Sequence, residues 1–440
     1  MKSEATFHFP KDFLWGTATA SYQVEGGNKN CNWSAWEAEG HVVDGHTAAV
    51  ACDWWGGRWR EDFDRAAETN QNTHRMSIEW SRIQPASERW DEAALDQYRQ
   101  MLRGLRERGL EPMVTLHHFT DPLWLYERGG WEKDISELFA TYVEKVVDAL
   151  KEYVTKWVTI NEPNVYATMG YVMGEFPPGK TSLPTALRVM GNLARGHAAA
   201  YHAIHRLQPE AQVGIANGYR GIAPYRAWNP LDRMVARMQF SLFNEFFQGG
   251  AATGRLRYPM FSQRVRGLRG TQDFIGINYY TQDYAAFRLT AYKDAFAARF
   301  YDPEAELSHT KFIANIPEGF YAALKWANQF GLPIHVTENG VEDPNDTLRP
   351  RYLIQHIHQM WRAINYGFPI KSYYHWSLVD NFEWERGWTQ RFGLWELDLE
   401  TFARRIRPSA DMYAEICETS AISSDLVAKY APSIYDKMFP

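Results

Sequence analysis

The stretch Asp91-Glu-Ala-Ala-Leu-Asp-Gln-Tyr-Arg-Gln-Met-Leu-Arg-Gly-Leu-Arg-Glu-Arg-Gly-Leu-Glu-Pro-Met-Val-Thr-Leu116 holds one helix followed by one strand, and its repetition decides the fold. Asp91 is read as an N-cap, because its carboxylate can accept the free N–H groups of a first helical turn. Leu95, Tyr98, Leu102 and Leu105 then recur at helical spacing and make one face apolar. Gly109 ends the helix. The run Pro112–Leu116 lacks polar alternation, the pattern of a strand buried on both faces. Outward from this unit the same alternation continues. Asp134 begins a second helix, with Leu138, Tyr142, Val146 and Ala149 on its inner face. Apolar runs at Phe13–Ala18, His74–Ile78, Trp157–Ile160, Val213–Ala216, Phe274–Tyr279, Ile334–Thr337 and Tyr373–Leu378 supply the other strands. Eight strands alternating with helices predict an α/β fold, a closed (β/α)8 TIM barrel with elaborated βα loops. An open doubly wound sheet shares this periodicity and stays as the alternative. No Gly-x-Gly-x-x-Gly opens a helix after the first strand, and no phosphate-binding loop occurs.

Composition bounds the rest. Nothing resembling a linker or low-complexity tract divides the 440 residues, so one catalytic domain over 1–440 is expected, with about 419–440 as a C-terminal extension of unknown role. The 18 Trp suit either a packed core or stacking on sugar rings. The net charge of −6 and the lack of a basic stripe argue against nucleic-acid partners. Cys31, Cys52 and Cys417 have neither disulfide-framework nor zinc spacing. With no signal-peptide pattern and no membrane-spanning run, a cytoplasmic protein without membrane association is expected.

Catalytic groups of such a barrel sit at the C-terminal strand ends. Here these ends are polar and aromatic: Gln23, Arg75, His117-His118, Asn161-Glu162, Asn278 with Tyr280, Glu338-Asn339, Trp376, and then Glu383-Trp384. Together they point to a polyhydroxylated ligand. A lone Glu after a strand is usually a surface or capping residue. Two of them, Glu162 and Glu338, from opposite sides of one barrel, match the acid and nucleophile of retaining glycoside hydrolysis, which stand about 5–5.5 Å apart. Arg75 and Tyr280 would favour the ionised form of one, and a less solvated position would raise the pKa of the other. His117-His118 has no third ligand at metal-site spacing, so no metal or other cofactor is expected. His202, His205, His356 and His358 are read as helix-surface residues, and Trp33, Trp36, Trp54 and Trp55 as loop packing.

The chain resembles the family 1 glycoside hydrolases, the large β-glucosidase family. The resemblance rests on Phe13-Leu-Trp-Gly-Thr-Ala-Thr-Ala-Ser-Tyr-Gln-Val-Glu-Gly26, Arg75-Met-Ser-Ile-Glu-Trp80, Thr159-Ile-Asn-Glu-Pro163, Phe274-Ile-Gly-Ile-Asn-Tyr-Tyr280, Val336-Thr-Glu-Asn-Gly340 and His375-Trp-Ser-Leu-Val-Asp-Asn-Phe-Glu-Trp384, in that order. It implies an exo-acting retaining β-glycosidase for terminal β-D-glucosyl residues, with galactosyl and fucosyl residues secondary. Glu162 would be the acid/base and Glu338 the nucleophile, supported by Arg75, Asn278 and Tyr280. Gln23, His118, Asn161, Glu383 and Trp384 would bind the sugar, and Trp376 would stack on it. The implied partner is a small-molecule β-glycoside or short oligosaccharide, and homo-oligomers are left open. The alternatives are an inactive sugar-binding barrel and an enzyme acting mainly as a transglycosylase.

The sequence departs from the family pattern in three places. Asn164 stands where Trp often follows Asn-Glu-Pro, Phe119 closes Leu-His-His-Phe, and Phe312-Ile313 stand near a missing Trp before Pro317. These leave the leaving group undetermined. The Ser…Lys-x-Tyr pattern of 6-phosphosugar enzymes is replaced by Glu383, Gln390 and Phe392, and a carboxylate there would repel phosphate. The presence of Glu162 favours O-glycosides over thioglycosides.

Overall fold

The computed structural model describes residues 5–258, 261–294 and 296–440. Strands β1 (Leu14–Ala18), β2 (Thr73–Ser77), β3 (Glu111–Thr115), β4 (Lys156–Asn161), β5 (Gln212–Pro224), β6 (Phe274–Phe287), β7 (Ile334–Asn339) and β8 (Ile370–Trp376) pair in parallel, each with the next. The pairing of β8 with β1 closes the barrel. The outer ring comprises α1 (Trp59–Glu68), α2 (Glu92–Glu107), α3 (Ser136–Leu150), α4 (Leu183–Leu207), α5 (Phe246–Thr253), α6 (Pro317–Asn328), α7 (Arg349–Asn365) and α8 (Pro408–Thr419). Closure rather than an open sheet follows from the β5–β6 and β8–β1 pairings, which local periodicity cannot specify.

The opening stretch folds as its pattern predicts. The Asp91 carboxylate accepts the N–H of Ala94 at 3.0 Å, and Leu95, Tyr98, Leu102 and Leu105 are buried. In α3 the expected face is rotated. Asp134 accepts from the backbone N–H and hydroxyl of Ser136 at 3.2 and 2.7 Å, so the helix starts two residues later. Phe139, Tyr142, Val143, Val146, Val147 and Leu150 are buried, Ala149 is half-buried and Leu138 is exposed. His356 is also not a surface residue. It is buried, its ring 3.8 Å from that of Tyr352 and its Nδ1 2.7 Å from the Tyr352 carbonyl oxygen.

β5 and β6 run well past their apolar starts. Gly218, Arg220 and Gly221 in β5, and Thr281, Gln282 and Asp283 in β6, interrupt the hydrophobic pattern, yet the pairing continues to Pro224 and Ala285. A short antiparallel strand, Ala297–Phe300, adds to the tip of β6. The helix Pro230–Phe240 packs Val235 and Ala236 onto this extension. The extended strands form one wall of the barrel mouth through Arg220, Thr281 and Arg299.

The C-terminal residues form a packed extension. Ala421–Ser423 pairs antiparallel with Thr6–His8, and Phe439 stacks on Phe7 at 5.1 Å. Among the described residues, no helix is long and apolar enough to cross a membrane. Arg255, Arg264, Arg266 and Arg269 gather around a surface depression beside a hairpin.

Candidate active site

Both glutamates sit at irregularities of the barrel. The β4–β5 register shifts between Val158 and Asn161, and the β6–β7 register shifts between Val336 and Glu338. Such bulges re-aim side chains at barrel rims. Glu162 has φ 40° and ψ 60°, and it leads into the short helix Pro163–Thr168. Its N–H is held by the Ala216 carbonyl at 2.8 Å. Phe119 and Trp384 also adopt positive φ, 67° and 48°, and line the same cavity. A non-glycine residue in this region costs about 1–2 kcal/mol, and such strain tends to gather at functional sites.

Arg75 organises the floor. Buried in the middle of β2, it donates from Nη1 to Glu338 Oε1 at 2.6 Å and to the Thr337 carbonyl at 3.1 Å. Nη2 reaches Asn161 Oδ1 at 2.6 Å, and Nε reaches Thr115 Oγ1 at 3.1 Å. Tyr280 donates its hydroxyl to Glu338 Oε2 at 2.7 Å, and burial holds its pKa well above the ordinary tyrosine value. Asn278 serves both glutamates: it aligns with Glu338 across the sheet and helps hold that carboxyl down, and its Nδ2 donates to Glu162 Oε1 at 3.0 Å and to Asn161 Oδ1 at 3.1 Å. Its own Oδ1 accepts from Thr337 at 2.6 Å, which fixes the amide orientation.

The two carboxyls therefore differ. Burial first, and then the charge of Glu338, push Glu162 up to about 8, and the Asn278 hydrogen bond only partly offsets this. Burial also raises Glu338, but the Arg75 guanidinium and the Tyr280 hydroxyl pull it back. Glu338 ionises first and Glu162 keeps its proton. Glu383 is pushed up to about 8 by burial, although it accepts from Trp376 Nε1 at 2.9 Å and Asn381 Nδ2 at 3.2 Å. His118 is held well below the ordinary histidine value by burial and by Arg75. Arg75 and Asn278 occupy Asn161 Oδ1, so Asn161 donates through Nδ2 to His118 Nε2 at 3.0 Å. His118 is therefore neutral, with its proton on Nδ1.

His118, Asn161, Glu162, Asn278, Tyr280, Glu338, Trp376, Glu383 and Trp384 line one cavity of about 350 Å³. Arg75 lies behind Glu338. Gln23 is buried outside the cavity lining and donates to the Phe382 carbonyl at 2.6 Å, bracing the loop that carries Glu383. His117 does not reach the cavity and instead bonds Asp121 at 3.0 Å. Trp33 packs 4.8 Å from Trp384, directly behind the cavity wall. Sequence reasoning missed Asp380, which accepts both Nη atoms of Arg407 at 2.9 Å and the N–H groups of Gly393 and Leu397. That pair closes the loop after β8 on itself. It carries no local signal, because its partners come from separate segments.

Two buried acids of unequal proton affinity, facing one cavity at the strand ends of a barrel, are what glycoside hydrolysis requires. The fold and site thus define a barrel-type glycoside hydrolase. The chain belongs to Glycosyl hydrolase family 1, whose model matches residues 5–422. It is 33% identical to β-glucosidase A of Thermotoga maritima, over 94% of this chain and 98% of that protein. It is 30% identical to a β-galactosidase of Sulfolobus acidocaldarius, over 95% and 96%. A solved β-glycosidase from Pyrococcus horikoshii superposes with a TM-score of 0.91 at 35% identity, covering 97% of this chain and 98% of that one. The protein is a retaining hydrolase of the β-glycosidase type.

Proposed function

We propose that the protein removes terminal non-reducing β-D-glucosyl residues from small β-glycosides or short oligosaccharides, with galactosyl and fucosyl residues as secondary substrates. The residues 5–440 that carry this site act as one catalytic unit. A carboxylate oxygen of Glu338 attacks the anomeric carbon while the bond to the leaving oxygen breaks and Glu162 gives that oxygen its proton. Glu162, now a carboxylate, takes a proton from water. The water oxygen attacks the same carbon, the ester to Glu338 breaks, and the sugar leaves with its original β configuration. Asn161, Glu383, Trp384 and the Nδ1–H of His118 bind the sugar hydroxyls, Gln23 braces the Glu383 loop, and Trp376 stacks on the ring. Three buried free cysteines, Cys31, Cys52 and Cys417, fit a reducing compartment such as the cytoplasm.

The observation that carries this reading is the asymmetry of the pair: Arg75 makes its ion pair with Glu338, and Glu162 accepts instead from the neutral amide of Asn278. In Glu338→Gly, hydrolysis of 4-nitrophenyl β-glucoside should fall by several orders of magnitude. Azide entering the vacated face should restore turnover and yield the α-glycosyl azide. Undiminished hydrolysis, or a β-glycosyl azide, would overturn the assignment.

A further inference from the structure

Asn164 departs from the family pattern at a position two residues past the acid/base, and it does not line the cavity. It is buried, and its single Nδ2 donates to two carbonyls, Gly218 at 2.7 Å and Phe243 at 3.0 Å. Gly218 belongs to β5. Phe243 belongs to a π-helical turn, Ser241–Glu245, and lines the cavity. The same turn is fastened to β5 a second time, since Asn244 exchanges hydrogen bonds with the backbone of Arg220 at 3.1 and 2.9 Å. A bridge of this kind needs a primary amide, because its two N–H bonds can serve two carbonyls at once.

The wall that Asn164 supports is apolar. The helix after Glu162 presents Val165 to the cavity, and a second π-helical turn, Met169–Met173, adds Met169 and Met173. Phe312 and Ile313, which stand near the missing family Trp, line it as well. The guanidinium groups at this mouth already have partners. Arg220 and Arg299 share Asp283, and Arg386 holds Glu385. Glu175 stands exposed at the rim. Thr168, Thr281 and Gln390 add polar atoms to the lining, whereas the methionine and phenylalanine surfaces of this wall suit an alkyl chain or an aryl ring.

We propose that Asn164 is a positioning residue that latches the Phe243 turn beside the acid/base, and that the wall so formed selects glycosides with an apolar alkyl or aryl leaving group. This rests on the β-glucosidase reading above. Each methylene that enters such a wall raises kcat/KM by up to about fourfold.

The test compares methyl, hexyl and octyl β-glucosides and cellobiose. In the wild type, kcat/KM should rise with chain length and exceed that for cellobiose. Asn164→Asp keeps the shape but sets a carboxylate against two carbonyls. Its octyl-to-methyl ratio of kcat/KM should fall at least tenfold, chiefly through KM. A purely structural role would lower the melting temperature and depress every substrate equally. Phe243→Ala should reproduce the fall in ratio and Phe243→Leu should largely restore it, which covers the case in which Asn164→Asp fails to fold. A flat chain-length series, a preference for cellobiose, or equal losses on all substrates would overturn the inference. A wild type inactive on every β-glucoside would instead overturn the catalytic reading on which it rests.

Discussion

Replacing Arg75 by Met removes four hydrogen bonds and, among the described residues, the one cation that touches Glu338. An opposite charge this close lowers a carboxyl pKa by about 1–3 units. Its removal should therefore raise Glu338 by a similar amount. The nucleophile must be ionised, so the acidic limb of the pH profile of kcat/KM should move up by about 1–3 units. Below the limb, activity should fall about 10- to 1000-fold. The two glutamates are coupled, so the limb belongs to the pair rather than to Glu338 alone. Leaving Glu338 buried without its cation also costs stability, about 3–5 kcal/mol by comparison with other broken buried pairs. The assay is hydrolysis of 4-nitrophenyl β-glucoside from about pH 4 to about pH 9, after near-ultraviolet circular dichroism has shown a packed fold. Arg75→Lys should fall between, since an ammonium keeps the charge but cannot fork onto Glu338 and Asn161 together. If folded Arg75→Met keeps the wild-type acidic limb, the account of which glutamate is the nucleophile is wrong.

Other consequences follow from the same geometry. Glu383 keeps in the fold a proton that the unfolded chain has released, so its contribution to stability declines as pH rises from 4.5 to about 8, by up to about 1.4 kcal/mol per pH unit. Glu383→Gln should therefore unfold at higher denaturant than the wild type at pH 8 and at similar denaturant near pH 4.5; a pH-independent difference would contradict this. A Cβ added at Gly218 would stand 2.9 Å from Val165 Cγ2 and 3.0 Å from Glu162 Oε1, both side-chain atoms that can move. Gly218→Ala should fold and displace the acid. It should lose about 100-fold on alkyl glucosides but much less on a dinitrophenyl glucoside, whose leaving group needs no proton; a uniform loss would argue against that cause. Asp380→Ala strands the buried Arg407 and should cost about 3–5 kcal/mol. The double variant with Arg407→Ala should recover part of the loss in chemical denaturation, and strict additivity would show that the pair does not interact.

Local pattern was enough for much of this protein. Asp91 and the Leu95–Leu105 stripe mark a helix because capping and amphipathicity act over one or two turns. The strands that begin with Val213 and Phe274 announce themselves because both faces of a barrel strand meet apolar neighbours. Glu162 and Glu338 are legible because each stands within two residues of the end of such a run. Tertiary structure alone decided the rest. The continuation of β5 and β6 past Gly218 and Thr281 depends on each strand finding the other, not on its own hydrophobicity. The burial of His356 depends on Tyr279 and Phe320 from other elements, and the buried face of α3 on its packing against α4. Asn278 turns toward Glu162 because Thr337 holds its carbonyl side, a contact from another strand. The same holds at the barrel mouth. Sequence marked Asn164 as unusual, but only folding brought Gly218 and Phe243, 54 and 79 residues away, to the two hydrogens of one amide.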